Sequence, residues 1–231
     1  MKKIILLYFF ISLKLFSQEK IDINYFTLGL VNDYLGRNLV LDEKDNPITI
    51  DYIYKREKSV IHFLDSLIKI ENSSKNIIEK IDFIFFKDTI TLNCSNCEEF
   101  YIVKSKNIAT KINSFYYIKP VDIQEIENPK AEEVNYFSYI DLIKMKNKNQ
   151  QKSFLYGAFL RYGSFKNGMY TLELANSVSK FYILKKILKK IDCKILSFKE
   201  NAGIPSNQII SFTTDNSEII AVLNRLLKNK I

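Results

Sequence analysis

Phe154 to Ile191 reads FLYGAFLRYGSFKNGMYTLELANSVSKFYILKKILKKI, and its apolar periodicity changes twice along the way. Phe154, Leu155, Ala158, Phe159 and Tyr162 recur at the spacing of one helix face, which Gly163 is placed to end. Met169 to Ala175 alternates, with Tyr170, Leu172 and Leu174 to one side, as a half-buried strand does. From Ser179 to Ile191 the period is helical again. Ile183, Leu184, Ile187, Leu188 and Ile191 face one way, against Lys180, Lys185, Lys186, Lys189 and Lys190.

Outward from this stretch the pattern continues. Lys194 to Phe198 and Gln208 to Thr213 read as paired strands around Ala202-Gly203, and Ser217 to Leu227 as a last helix with Ile219, Ile220, Leu223 and Leu227 inward. The C-terminal unit is therefore α-β-α-β-β-α. Before it lie a polar stretch, Lys146 to Gln151, and a predicted helix, Phe137 to Lys144.

The first half is less regular. Phe26, Leu28, Leu30, Val31 and Leu35 predict a short helix over 25–35, with Gly36 to end it. Asp42 to Pro47 is a polar turn, and Ile48 to Tyr54 alternates as a strand. Val60, Ile61, Leu64, Leu67 and Ile68 fall on one helix face, and Asn72 to Lys75 breaks it. Ile81 to Phe86, Thr89 to Asn93, Phe100 to Val103 and Phe115 to Ile118 are rich in β-branched and aromatic residues and predict antiparallel strands. Between Gln124 and Glu133 the chain turns acidic and polar around Pro129, a candidate domain boundary or a long surface loop. The fold class is α+β, antiparallel sheets with packed helices, in regions 18–127 and 128–231. No internal repeat or low-complexity tract is evident.

The N-terminus, MKKIILLYFFISLKLFSQEK, has the parts of a secretory signal: Lys2 and Lys3, an apolar run from Ile4 to Leu13, and a small residue at Ser17. Cleavage there makes 1–17 a signal peptide and predicts an exported chain. An uncleaved anchor or a buried first strand are the alternatives. The run is shorter than the roughly 20 residues of a membrane span, and no later segment approaches that length. The formal charge of +8 includes Lys2, Lys3 and Lys14, so the processed chain carries +5. That balance favours solubility and loose attraction to acidic surfaces or a protein partner, and is no signature of a nucleic-acid binder.

Chemistry-bearing residues are few. The single histidine, His62, sits inside a helical pattern, where packing is the default role, and multi-histidine metal sites are excluded. Zinc-protease and phosphate-loop patterns do not occur. Cys94-Ser-Asn-Cys97 has strand-like flanks, not the helix start that lowers a redox thiol's pKa. In an exported protein the pair reads as a disulfide across a tight turn or as idle thiols; zinc would need two further ligands, with only Cys193 and His62 to supply them. Glu98-Glu99 and Glu132-Glu133 are adjacent acids in loops, unlike carboxylates paired across a cleft. No cofactor is implied.

Leu155 to Phe165, LYGAFLRYGSF, resembles a degraded LAGLIDADG motif, matching it at Leu155, Gly157, Gly163, Ser164 and Phe165. The strand, long helix, hairpin and short helix that follow, to about Lys228, also resemble that family, and are similar to its catalytically silent, WhiA-like form. The resemblance implies helix packing through Gly157 and Gly163. In active members the acid before the second glycine holds metal for DNA cleavage; Tyr162 stands there and Leu160 at the earlier acid position, so nuclease activity is not implied. Three functions follow: a non-enzymatic exported protein that binds or builds, a silent nucleic-acid-binding module using Lys180, Lys185, Lys186, Lys189 and Lys190, and a small thiol or zinc protein using Cys94 and Cys97. The first is the leading reading.

Overall fold

The computed structural model describes residues 20–33, 48–87, 100–120, 136–175, 177–201 and 207–230. Outside them lie the expected signal peptide 1–17, Gly36, the turn expected over 42–47, the strand expected over 89–93, Cys94, Cys97, the candidate boundary near Pro129 and the turn expected at Ala202-Gly203. The described residues form six α-helices and three antiparallel sheets, an α+β fold. No helix among them is long and apolar enough to cross a membrane.

Two helices are buried on every side. Helix α1 (Ile23–Leu30) is capped by Asp22, whose carboxylate accepts from the Asn24 amide at 3.1 Å. Seven of its eight residues are buried, so it lies inside the molecule. Sheet strand β1 (Thr49–Tyr54) follows, then helix α2 (Lys58–Ser73), strands β2 (Ile84–Lys87) and β3 (Phe100–Lys104), and helix α3 (Lys106–Asn113). A hairpin, β4 (Tyr116–Pro120) with β5 (Tyr136–Ile140), leads to the second buried helix, α4 (Lys148–Tyr162). Then come β6 (Gly163–Lys166), β7 (Met169–Ala175), α5 (Val178–Lys190), β8 (Cys193–Asn201), β9 (Asn207–Thr214) and α6 (Ser217–Lys228).

The structure contains a repeat that the residue pattern does not announce. From α1 to α3 the order is helix, strand, helix, two strands, helix; from α4 to α6 it is the same, with β6 added. The sheets agree too: β1-β3-β2 in one half, β7-β9-β8 in the other, extended by β6 on the β7 side.

The halves meet where α1 and α4 cross, glycine against backbone. A Cβ on Gly29 would fall inside the Phe154 carbonyl oxygen and 2.8 Å from the Ala158 nitrogen. One on Gly157 would fall inside the Phe26 carbonyl oxygen and 3.0 Å from the Leu30 nitrogen. In both cases the partners are the residue three before the opposite glycine and the residue just after it, so the contact is reciprocal. One continuous apolar core runs through both halves.

Several expectations are corrected. Phe137 to Lys144 is not a helix: its start is strand β5, in register with β4 from Tyr116 opposite Ile140, and Asp141 caps a 3-10 turn through the Ile143 amide at 3.0 Å. Alternating aromatic residues paired with a neighbouring strand outweigh helical spacing there. The polar stretch Lys146 to Gln151 holds the start of α4, where Asn147 caps the helix by accepting from the Gln150 amide at 2.9 Å. Helix α1 stops at Leu30, far short of Gly36, because Val31 turns to extended backbone.

Helix α3 had gone unread. Its cap is composite, with the Ser105 hydroxyl accepting from the Ile108 amide and the Asp82 carboxylate accepting from Ser105 and the Lys106 amide. Strand β6 was also missed, although Asn167-Gly168, both at positive φ, is the two-residue turn that joins paired strands.

Because rigid backbone faces each glycine, Gly29→Ala and Gly157→Ala should each cost about 3 kcal/mol or more. Gly168→Ala, whose added carbon meets nothing but whose φ is +75°, should cost about 1 kcal/mol. Urea unfolding of the three variants checks the order.

Candidate functional site

At the C-terminal end of α1 its last carbonyls lack helical partners and carry the negative end of the peptide dipoles. Two cations from the other half arrive there. Arg161, in the last turn of α4, donates from Nη1 to the Leu30 carbonyl at 3.3 Å, and Lys180, in the first turn of α5, donates to the Val31 carbonyl. The Tyr162 hydroxyl also donates to the Val31 carbonyl, at 3.3 Å. These donors satisfy the carbonyls left bare where Val31 turns to extended backbone.

Arg161 is clamped on two acids. Nη1 donates to Asp51 Oδ2 at 2.6 Å, while Nε and Nη2 reach Glu57 Oε1 and Oε2 at 2.9 and 3.0 Å, a two-pronged pair. The Arg161 and Asp51 side chains are each only 3% exposed. Asp51 points inward because a β-bulge after Thr49 shifts the register of β1 against β3. Its carboxylate also accepts from the Asn32 and Tyr52 amides, at 2.7 and 2.8 Å. Burial alone would lower the Arg161 pKa; facing Tyr162, Asp51 and Glu57 reverse this and hold the guanidinium charged well above its ordinary range. Burial pushes the Tyr162 phenol up, so it stays a protonated donor.

The second cluster mirrors the first with its charges exchanged. Asp33 stands four residues past Gly29, as Arg161 stands four past Gly157. Arg161 crosses to Glu57, the N-cap residue of α2; Asp33 accepts from Ser177, the N-cap residue of α5, and lies 3.8 Å from Lys180 Nζ. Asp33 Oδ2 is buried and meets no donor among the described residues. Lys230, donating to the Gly163 carbonyl, closes the edge near Glu57; burial pulls its pKa down to about 8, with Glu57 acting against the shift.

The lysines expected to form one basic face are divided. Lys180 belongs to the buried cluster and is not on the outer face of α5: its position in the first turn aims it at the end of α1. Lys185 lies over the Phe198 ring at 3.6 Å and beside Phe181. Lys186, Lys189 and Lys190 are exposed at the end of the helix. Cys94 and Cys97 lie outside the described residues. His62 is exposed, its ring edge-on to Phe85 at 5.7 Å. Cys193 is buried, which raises its thiol to about 11. Gly157 makes the close helix contact; Gly163 instead opens β6.

Residue patterns did not single out Asp33, Asp51, Glu57 or Arg161. An isolated acid in an apolar strand and an Arg closing the apolar run Phe154 to Leu160 were the available signals, and neither names its partner. Among the described residues no group of three His, Cys, Asp or Glu side chains could hold a metal ion. No protein-family model matches the chain, and no curated protein matches it.

Removing one partner of a buried, hydrogen-bonded pair leaves an unpaired charge inside, so Arg161→Met should cost about 4 kcal/mol. Arg161→Lys, which keeps the charge and loses the two-pronged grip, should cost less. Chemical denaturation of both variants tests this.

Proposed function

We propose that the chain is an exported protein, processed after Ser17, that acts without catalysis through binding or as a structural part. The observation that supports a non-enzymatic role is the sealing of the central ionic groups. Arg161 is bound by Asp51 and Glu57 with 3% of its side chain exposed, and Lys180 and Asp33 are fully buried. A general acid or base must reach the proton it moves, and a catalytic charge must face substrate. These groups face each other and the end of α1. Their chemistry is spent on joining the halves.

Export is tested by locating the native protein and reading its N-terminus. Recovery outside the cytoplasm with Gln18 or Glu19 first is the expected result; a cytosolic protein that still begins at Met1 removes the reading.

The alternative is a silent LAGLIDADG-like nucleic-acid module. The feature in its favour is the Gly157 helix contact, the packing that the resemblance implies. Against it, only Lys186, Lys189 and Lys190 of the five lysines remain exposed and without an aromatic partner. Under the leading reading, no DNA or RNA gel shift occurs at low salt. A salt-dependent shift lost in Lys186→Glu/Lys189→Glu/Lys190→Glu would put the alternative first. A thiol or zinc function at Cys94 and Cys97 stands as a third reading, decided by mass spectrometry with and without reduction.

A further inference from the structure

Helices α2 and α5 are equivalent elements of the two halves, and aligning their N-cap residues, Glu57 and Ser177, aligns their cores. Ile61, Leu64 and Ile68 then match Phe181, Leu184 and Leu188, all buried. Two further pairs differ. Phe63 and Leu67 of α2 are half-buried, whereas their counterparts Ile183 and Ile187 are buried. The cause is visible on the α5 side: strand β5 lies against α5, and the Ile140 amide donates to Ser179 Oγ at 2.8 Å.

On the α2 side the described residues leave the corresponding space as an open groove of about 870 Å³. Phe63, Leu67 and Ile70 form its apolar row at i, i+4 and i+7, and Ser59, the counterpart of Ser179, lines it beside them. Ile21 and Ile23 come from the start of α1, and Arg225 from α6. The Arg225 Nε is buried and meets no acceptor among the described residues. Lys20 adds a second cation, while Glu71, the acid in the lining, is paired with Lys75 at 3.0 Å.

Strand β5 occupies residues 136–140, at a fixed distance before Gly157. Counting back equally from Gly29 arrives at Tyr8 to Ser12, inside the leader. Export, as proposed above and on which this rests, removes that segment.

We infer that the groove between α2, α6 and the start of α1 binds an extended apolar segment of a partner protein, with a carboxylate beside it. The segment runs along α2 as β5 runs along α5. A backbone amide of the segment donates to Ser59 Oγ, its apolar side chains cover Phe63, Leu67 and Ile70, and the carboxylate pairs with Arg225. This is docking of an extended segment in a preformed groove, with apolar burial for affinity, and the Ser59 bond and the charge for register.

The probe is a labelled peptide of residues 135–142, NYFSYIDL, which carries the β5 strand and Asp141. It is titrated by fluorescence anisotropy into the chain that begins at Gln18. Saturable one-to-one binding is expected. Arg225→Gln should weaken it roughly tenfold or more, and so should Asn in place of Asp141 in the peptide. Ser66→Trp, an exposed lining residue enlarged into the groove, should abolish binding while the circular dichroism spectrum is unchanged. No saturable binding, or binding unaffected by both variants, overturns the inference. So does a groove that takes palmitate and refuses the peptide, which would make it a small-amphiphile site. A protein found in the cytosol with Met1 intact defeats the export reading but leaves this titration to be judged by itself.

Discussion

The approach of α1 to α4 at Gly29 and Gly157 governs the rest of the molecule. Any side chain at either glycine would force the backbones apart, and the reciprocity of the contact makes each helix the other's template. At this separation main-chain atoms pack against main-chain atoms. The two helices then have no solvent side, which is why α4 carries buried residues from Gln151 through Leu160 with Lys152 as the exception. The sheets and outer helices of each half are arranged around that crossing.

The ionic clusters depend on the same geometry. Arg161 meets Leu30, Asp51 and Glu57 together only because the last turn of α4 lies beside the end of α1. Buried pairs of this kind add little stability over apolar residues of equal volume, but they penalise any arrangement that leaves one charge alone. Two such pairs, with acid and base exchanged between halves, favour the native partner over a second copy of the same half. Asp33 facing Glu57, or Arg161 facing Lys180, would then bury like charges. The end of α1 benefits as well, since Arg161 and Lys180 supply donors to carbonyls that an eight-residue helix leaves bare.

Where the halves depart from each other, function has room. The β4–β5 hairpin covers α5 and nothing described covers the matching face of α2, although both helices present a serine at the same place. Lys185, folded over Phe198, is likewise no free cation: the ring face attracts it and the outer surface of α5 is less basic than its composition.

Much of the fold was legible in the residues. The run from Met169 to Ala175 alternates and is a strand over that span; the stretches around 179–191 and 217–227 are helices within a residue of the expected ends. Local periodicity suffices there because each element has one wet and one dry face. It fails where both faces are dry or where a partner decides: α4 begins six residues before its apolar pattern does, and Phe137 to Ile140 became a strand because β4 was available to pair with it. Lys180 shows the limit most clearly. The i, i+3, i+4 pattern assigned it to the polar face, and only the crossing of α1 and α4 placed a carbonyl and Asp33 where its ammonium could be buried. Sequence alone thus determined the elements that have one wet and one dry face, the α+β class and the shortage of catalytic residue types, since these depend on neighbours along the chain. The doubled plan, the buried charge pairs and the open groove were decided by tertiary structure, because each is made of groups a hundred or more residues apart or of a space that no single element encloses.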